Sequence, residues 1–159
     1  MILFDLGSGN TCQNDVNKAR EMILNLAYCA IPGAVIKWQL FKKAGDNIPL
    51  EKNIFDAAFQ YAKVLGLNTT ASVFDEASLE FLLKYNPPFV KLANNKQSHA
   101  LLKLIPDSMP VVISTDDANF KTDRKLTDII YCVSKYPAEE KDYEKFGENL
   151  RKGMSDHTG

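Results

Sequence analysis

The sequence predicts an α/β fold built from parallel βαβ units. Three observations carry that prediction. Short apolar runs alternate with runs of helical period along the whole chain. Polar connections marked by Gly or Pro separate them. The apolar runs are also too uniform for a sheet wetted on one face, as expected when helices cover a sheet or when it closes into a barrel. Strand, helix, strand in that order implies parallel neighbours with right-handed crossovers.

The elements follow in order. ILFDLG, residues 2–7, alternates as a strand, and a Gly/Ser/Asn loop follows. DVNKAREMILNLAYCAIPG carries Val16, Ala19, Ile23, Leu24 and Ala27 at helical spacing, with Asn14 or Asp15 as its cap and Pro32-Gly33 as its stop. AVIKWQLF is the second strand, with Ile36, Trp38 and Leu40 on one face and Lys37, Gln39 and Phe41 on the other. A polar loop leads to the amphipathic helix NIFDAAFQYAKVLGL, ended at Gly66. NTTASVF is the third strand, and DEASLEFLLKYN the third helix, capped by Asp75. PFVKLAN is the fourth strand, followed by the short helix KQSHALLKLIPD, and MPVVIST is the fifth. DDANFKTDR is polar and too short to read as a helix. LTDIIYCVS is the sixth strand, and the second half of YPAEEKDYEKFGENLRKG is helical in pattern. MSDHTG closes the chain.

A length of 159 residues predicts one domain, 1–159, with a substantial core. Hydrophobic content of 45% and charged content of 25% fit an ordinary soluble protein rather than a disordered or fibrous one. The net charge of −1 gives no general electrostatic case for nucleic acid or an anionic membrane as partner. Cys12, Cys29 and Cys132 are far apart and form no CxxC, which predicts a reducing compartment and no cysteine zinc site. With no signal peptide and no apolar run of membrane length, the expected location is cytoplasmic.

Polar residues recur near the carboxyl ends of the strands: Asp5, Lys37, Ser72, Lys91, Ser114 and Ser134. Parallel α/β folds bind ligands at that end. Lys37 and Lys91 have the chemistry to hold the two acidic groups of one small dianion, with the serine hydroxyls donating to the same oxygens. A lysine kept neutral by desolvation would instead serve as a Schiff base. The competing reading is structural. Asp5 is expected on the strand next to that of Lys37, and buried charges are generally paired. Both readings stand on composition alone. His99 reads as a half-buried or surface residue. Gly7-Ser8-Gly9 does not complete a dinucleotide fingerprint.

Six ordered pieces resemble the N-terminal part of the sialic acid synthase family: VIKWQLF for VKFQ, TASVFD for STPFD, FVKLANN for KIxSG, PVVIST for PVIISTG, YCVSKYPA for HCTSxYP and GMSDHTG for GYSDHT. That family condenses phosphoenolpyruvate with N-acetylmannosamine or a related sugar. The resemblance implies an incomplete TIM-type (β/α) barrel of roughly six parallel units, since a complete barrel takes about 250 residues. It also implies that the family's C-terminal antifreeze-like domain is absent from 1–159.

By position, the resemblance implies Lys37, Gln39, Ser72, Lys91, Asn94, Ser114, Ser134 and Ser155 as ligand-binding residues. Asp5 and Tyr136 become catalytic candidates. His157 matches one of two histidines that hold a divalent metal, commonly manganese. The sequence departs from the pattern at several places. Asp5 stands for Glu, and Gly9-Asn10-Thr11-Cys12 for NHxG. Asn94 stands for Ser, Lys96 for a glutamate, Asp116 for Gly, and Tyr131 for His. The binding positions are better kept than the catalytic ones. The alternative function is a non-catalytic anion-binding or interaction protein. A further alternative is an unrelated flavodoxin-like sheet with strand order 2-1-3-4-5. An incomplete barrel leaves open edges, which predicts a homo-oligomer that covers them.

Overall fold

The computed structural model describes residues 1–43 and 45–158. They fall into two compact units, Met1–Pro88 and Phe89–Gly159.

In the first unit the strands β1 (Ile2–Gly7), β2 (Ala34–Leu40) and β3 (Asn68–Val73) pair in parallel, in chain order. Because β2 lies between β1 and β3, the strand order of the flavodoxin-like alternative is excluded. Helices α1 (Gly9–Cys12), α2 (Val16–Tyr28), α3 (Lys52–Val64) and α4 (Glu76–Leu83) fill the connections. Asp15 caps α2 through Asn17 and Lys18 N–H, and Asp75 caps α4 through Ser78 N–H, as their positions predict. Gly66 sits at φ 75°, the left-handed conformation that lets the chain turn out of α3.

Alpha 1 is an addition to the predicted loop. Ser8 Oγ accepts from Asn10 N–H, and Thr11 Oγ1 donates to Leu6 O at 2.5 Å and to Ser8 O at 2.8 Å. Local side-chain bonds of this kind wind a turn that shows no hydrophobic period.

The core of this unit is apolar and aromatic. Trp38 and Phe55 are fully buried, and α3 turns Ile54, Phe55, Ala58 and Ala62 inward. Phe55 meets Phe59, Phe81 and Tyr85 at centroid distances of 6.0, 5.6 and 5.2 Å.

In the second unit β4 (Val90–Leu92), β5 (Val111–Thr115), β6 (Thr127–Cys132) and β7 (Met154–Ser155) also pair in parallel, in chain order. The two-residue β7 lies in the stretch expected only to close the chain. It is too short for alternation to reveal. Helix α5 (Lys96–Ala100) runs into a 3₁₀ turn, Leu101–Leu104. The segment between β5 and β6 forms no helix, as its polarity predicts. Arg124 holds the end of that segment, donating to the carbonyls of Ile105, Pro106 and Met109. Glu140–Arg151 is 3₁₀ rather than regular α-helix, broken at Gly147 (φ 51°, ψ −130°). Tyr131, Val133, Ala138, Tyr143 and Phe146 form one buried cluster beneath it.

The aromatic cluster gives a direct test. Phe55→Ala empties a fully enclosed site and is expected to destabilise the fold by about 3–5 kcal/mol in chemical denaturation. Phe55→Leu, which keeps most of the volume, is expected to cost clearly less.

Candidate functional site

The first unit places Asp5 and Lys37 in register on neighbouring parallel strands. Side chains in register leave a sheet on the same side, so the two are bound to meet. Lys37 Nζ lies 2.5 Å from Asp5 Oδ2 and donates to Ser72 Oγ at 3.4 Å. Gln39 Nε2 donates to the same carboxylate oxygen at 3.0 Å, and Gly7 N–H to the other at 2.9 Å. Four of the predicted residues, Asp5, Lys37, Gln39 and Ser72, are therefore one hydrogen-bonded group. Lys37 is buried, while the Asp5 side chain keeps 44% of its exposure.

Burial pushes the Asp5 carboxyl up. The charge and hydrogen bond of Lys37, with the bonds from Gly7 and Gln39, outweigh it and hold the group below the usual carboxylate range. The structural pairing foreseen for these two residues is formed.

The loops after β1 and β2 are tied to each other beside this group. Asn10 Oδ1 accepts from Ile48 N–H at 2.8 Å. Asn14 accepts from Glu51 N–H at 3.0 Å and donates to Pro49 O at 3.1 Å. A Cβ on Gly9 would stand 2.5 Å from Pro49 O, so only glycine permits this approach.

In the second unit Lys91 is 4% exposed, in the middle of β4. Its ammonium donates to Ser114 Oγ at 2.5 Å and to Leu92 O at 2.7 Å. Cys132 joins this pair. Burial raises its thiol pKa and Asp116 adds to that, while Lys91, Lys145 and the Ser114 hydroxyl act the other way. Cys132 is absent from the site residues that the sequence and the resemblance point to. The signal was present in the two-residue period: Ser114 pairs with Ile130, and Cys132 lies two residues on, on the same face.

His99 is half-buried, with Nε2 2.9 Å from Ser114 O and its ring against Phe120. A carbonyl only accepts, so Nε2 carries the proton. Asn94 Nδ2 donates to Ser134 Oγ at 2.9 Å, bringing two more predicted residues together.

Tyr136, Ser155 and His157 also converge. The His157 and Tyr136 rings stack with centroids 4.2 Å apart. His157 Nδ1 donates to Val133 O at 2.5 Å, which leaves Nε2 as acceptor for the Tyr136 hydroxyl at 2.8 Å, with Ser155 Oγ at 3.1 Å. Tyr143 pins the segment, accepting from His157 N–H at 3.0 Å and donating to Ser155 O at 2.9 Å. Both ring nitrogens of His157 are thus engaged. Among the described residues no group of three or more His, Cys, Asp or Glu is placed to hold a metal ion. These side chains do not make up a manganese-holding set.

The NeuB family model matches residues 37–159. An N-acetylneuraminate-9-phosphate synthase of Drosophila melanogaster is 34% identical over 95 residues, covering 52% of this chain and 26% of that protein. The Homo sapiens protein of the same name is 28% identical over 118 residues, covering 62% of this chain and 33% of its own length. Among solved structures, the N-acetylneuraminic acid synthetase of Leptospira borgpetersenii in complex with citrate superposes with a TM-score of 0.79 at 21% identity, over 99% of this chain and 65% of that one. The spore coat polysaccharide biosynthesis protein SpsE of Bacillus subtilis gives 0.76 at 20% identity, over 99% and 53%. This chain therefore spans a quarter to a third of the curated relatives it matches. Its fold is the incomplete (β/α) barrel that the sequence predicted.

The Asp5–Lys37 pair makes stability depend on pH with a defined sign. A carboxyl held below its ordinary value contributes fully above that value, about pH 4, and the contribution is lost as pH falls through the lower folded value. Asp5→Asn is expected to lower urea stability near neutral pH by up to about 1 kcal/mol, because the pair is partly solvated. The difference from wild type is expected to close as pH falls below the ordinary carboxylate value and through the lower folded one. A gap that does not change with pH would contradict the ion pair.

Proposed function

The chain belongs to the NeuB family, and on that premise we propose that it is a sialic acid synthase-like protein that binds phosphoenolpyruvate or a sugar phosphate. The observation that supports the reading is the Lys91–Ser114 contact. A lysine 4% exposed donates to a hydroxyl 2.5 Å away, at neighbouring strands of a parallel sheet. Replacing that neutral acceptor by a phosphate or carboxylate oxygen strengthens the hydrogen bond, because charge-assisted bonds are roughly twice as strong. The Ser114 hydroxyl rotates, so it can then donate to the same anion. Lys37, Gln39, Ser72, Asn94, Ser134 and Ser155 are the further ligand-side residues in this reading.

Condensation of phosphoenolpyruvate with an N-acetylated sugar is the ancestral reaction in this proposal. Asp5, held ionised beside Lys37, has the charge of a base. The Tyr136 hydroxyl, donating to His157 Nε2, has a proton relay partner.

A second reading is favoured by one observation. The Asp5 carboxylate is committed to Lys37, Gln39 and Gly7 at once. A group so fully used is suited to hold structure, which points to a non-catalytic anion-binding protein.

Thermal-shift and calorimetric titrations separate these outcomes. Phosphoenolpyruvate or a sugar phosphate is expected to stabilise the protein, by about 2.7 kcal/mol at a hundredfold excess over Kd. Lys91→Ala is expected to abolish the effect, and Ser114→Ala to weaken binding by about tenfold. No stabilisation by any of these anions would reject the binding reading. Product formed from phosphoenolpyruvate and N-acetylmannosamine would reject the non-catalytic one.

A further inference from the structure

We propose that the unit Met1–Pro88 carries a second anion site, where α3 and α4 begin, for a small ligand with a carboxylate or phosphate head on a short apolar stem. A cavity of about 70 Å³ lies there, with Lys42, Lys52 and Ser78 among its lining and Leu40, Phe41 and Phe81 as apolar walls. None of these residues belongs to the groups around Lys37 or Lys91.

Four features give the cavity its chemistry. The first is two cations. Lys42 follows β2, with its backbone N–H fixed by Asp75 Oδ2 at 2.8 Å. Lys52 opens α3, with its ammonium 5.2 Å from the centroid of the Phe81 ring. Among the described residues neither ammonium enters an ion pair.

The second feature is the Ser78 hydroxyl. Ser78 is 8% exposed, and Asp75 engages its backbone N–H at 2.9 Å. Ser78 lines the cavity, and its hydroxyl can rotate to donate to an acceptor held there.

The third is the start of α3. Glu51 makes no side-chain cap bond there, and the first turn holds no acidic residue. Its first N–H groups and the positive end of its dipole therefore add to the field of the two lysines. Lastly, the walls discriminate. A cavity of this size admits one oxyanion head and a few carbons, not a nucleotide. Leu40, Phe41 and Phe81 reward a stem that leaves water, which a hydrated inorganic ion lacks.

The test is an amide NMR titration of the full chain with butyrate and ethyl phosphate, and with inorganic phosphate as the probe without a stem. The expected result is saturable shifts at the Ser78 and Phe81 amides with both stemmed anions, and weaker binding of inorganic phosphate. The double variant Lys42→Gln/Lys52→Gln, at exposed positions that leave the core intact, is expected to weaken binding by about tenfold or more. Ser78→Ala is expected to weaken it several-fold, by roughly the share of one hydrogen bond. Lys91→Ala is expected to leave these shifts unchanged, which separates this site from the function proposed above. Absence of saturable shifts at these amides, full affinity in the double variant, or loss of the shifts in Lys91→Ala would each overturn the proposal.

Discussion

An ammonium in the middle of a buried parallel strand has to be met by oxygen, because an uncompensated charge there is far more costly than any packing gain returns. That constraint organises both units. In the first, Lys37 is met by the carboxylate in register with it, and Asp5 in turn gathers Gln39 and the Gly7 amide. In the second, Lys91 is met by the Ser114 hydroxyl and the Leu92 carbonyl, and Cys132 lies in the same field. In the first unit a charge is among the groups that answer this demand, and in the second a hydroxyl and a carbonyl are among them. A neutral acceptor such as the Ser114 hydroxyl gives way to an anion with a gain in bond strength, and that contact supports binding at Lys91.

The fold was largely legible because its signals are periodic. Alternation found β1, β2 and β3, helical spacing found α2 and α3, and Asp15 and Asp75 marked their caps. What escaped were elements made by other means. Alpha 1 is wound by the Ser8 hydroxyl on the Asn10 N–H and the Thr11 hydroxyl on backbone oxygens, and β7 is two residues long. Neither leaves a hydrophobic period. Glu140–Arg151 is 3₁₀ on both sides of a break at Gly147, whose backbone geometry no helical pattern encodes.

The site was legible to the extent that strand register brings residues together. Asp5 with Lys37 could be foreseen from adjacent strands. Ser134 stood out by its place at a strand end, whereas Asn94, Tyr136, Ser155 and His157 were reached through the family resemblance, because loops and the two-residue β7 place them. Cys132 was missed because a thiol in a strand looks like packing until its neighbours are known. His157 shows how a matched residue type can sit in a different setting: its two nitrogens are taken by Val133, Tyr136 and Ser155, and the residues around it do not form a metal-holding group. Lys96, which stands where the resemblance has a glutamate, is exposed at the start of α5.

The central claim is that a small phosphorylated anion is taken up at Lys91. The most direct measurement is a crystal structure of the protein grown with phosphoenolpyruvate. The account predicts anion oxygens at about 2.7–3.0 Å from Lys91 Nζ, with the Ser114 hydroxyl turned to donate to the same group. Phosphoenolpyruvate bound elsewhere, with the Lys91–Ser114 contact left as it is, would contradict it.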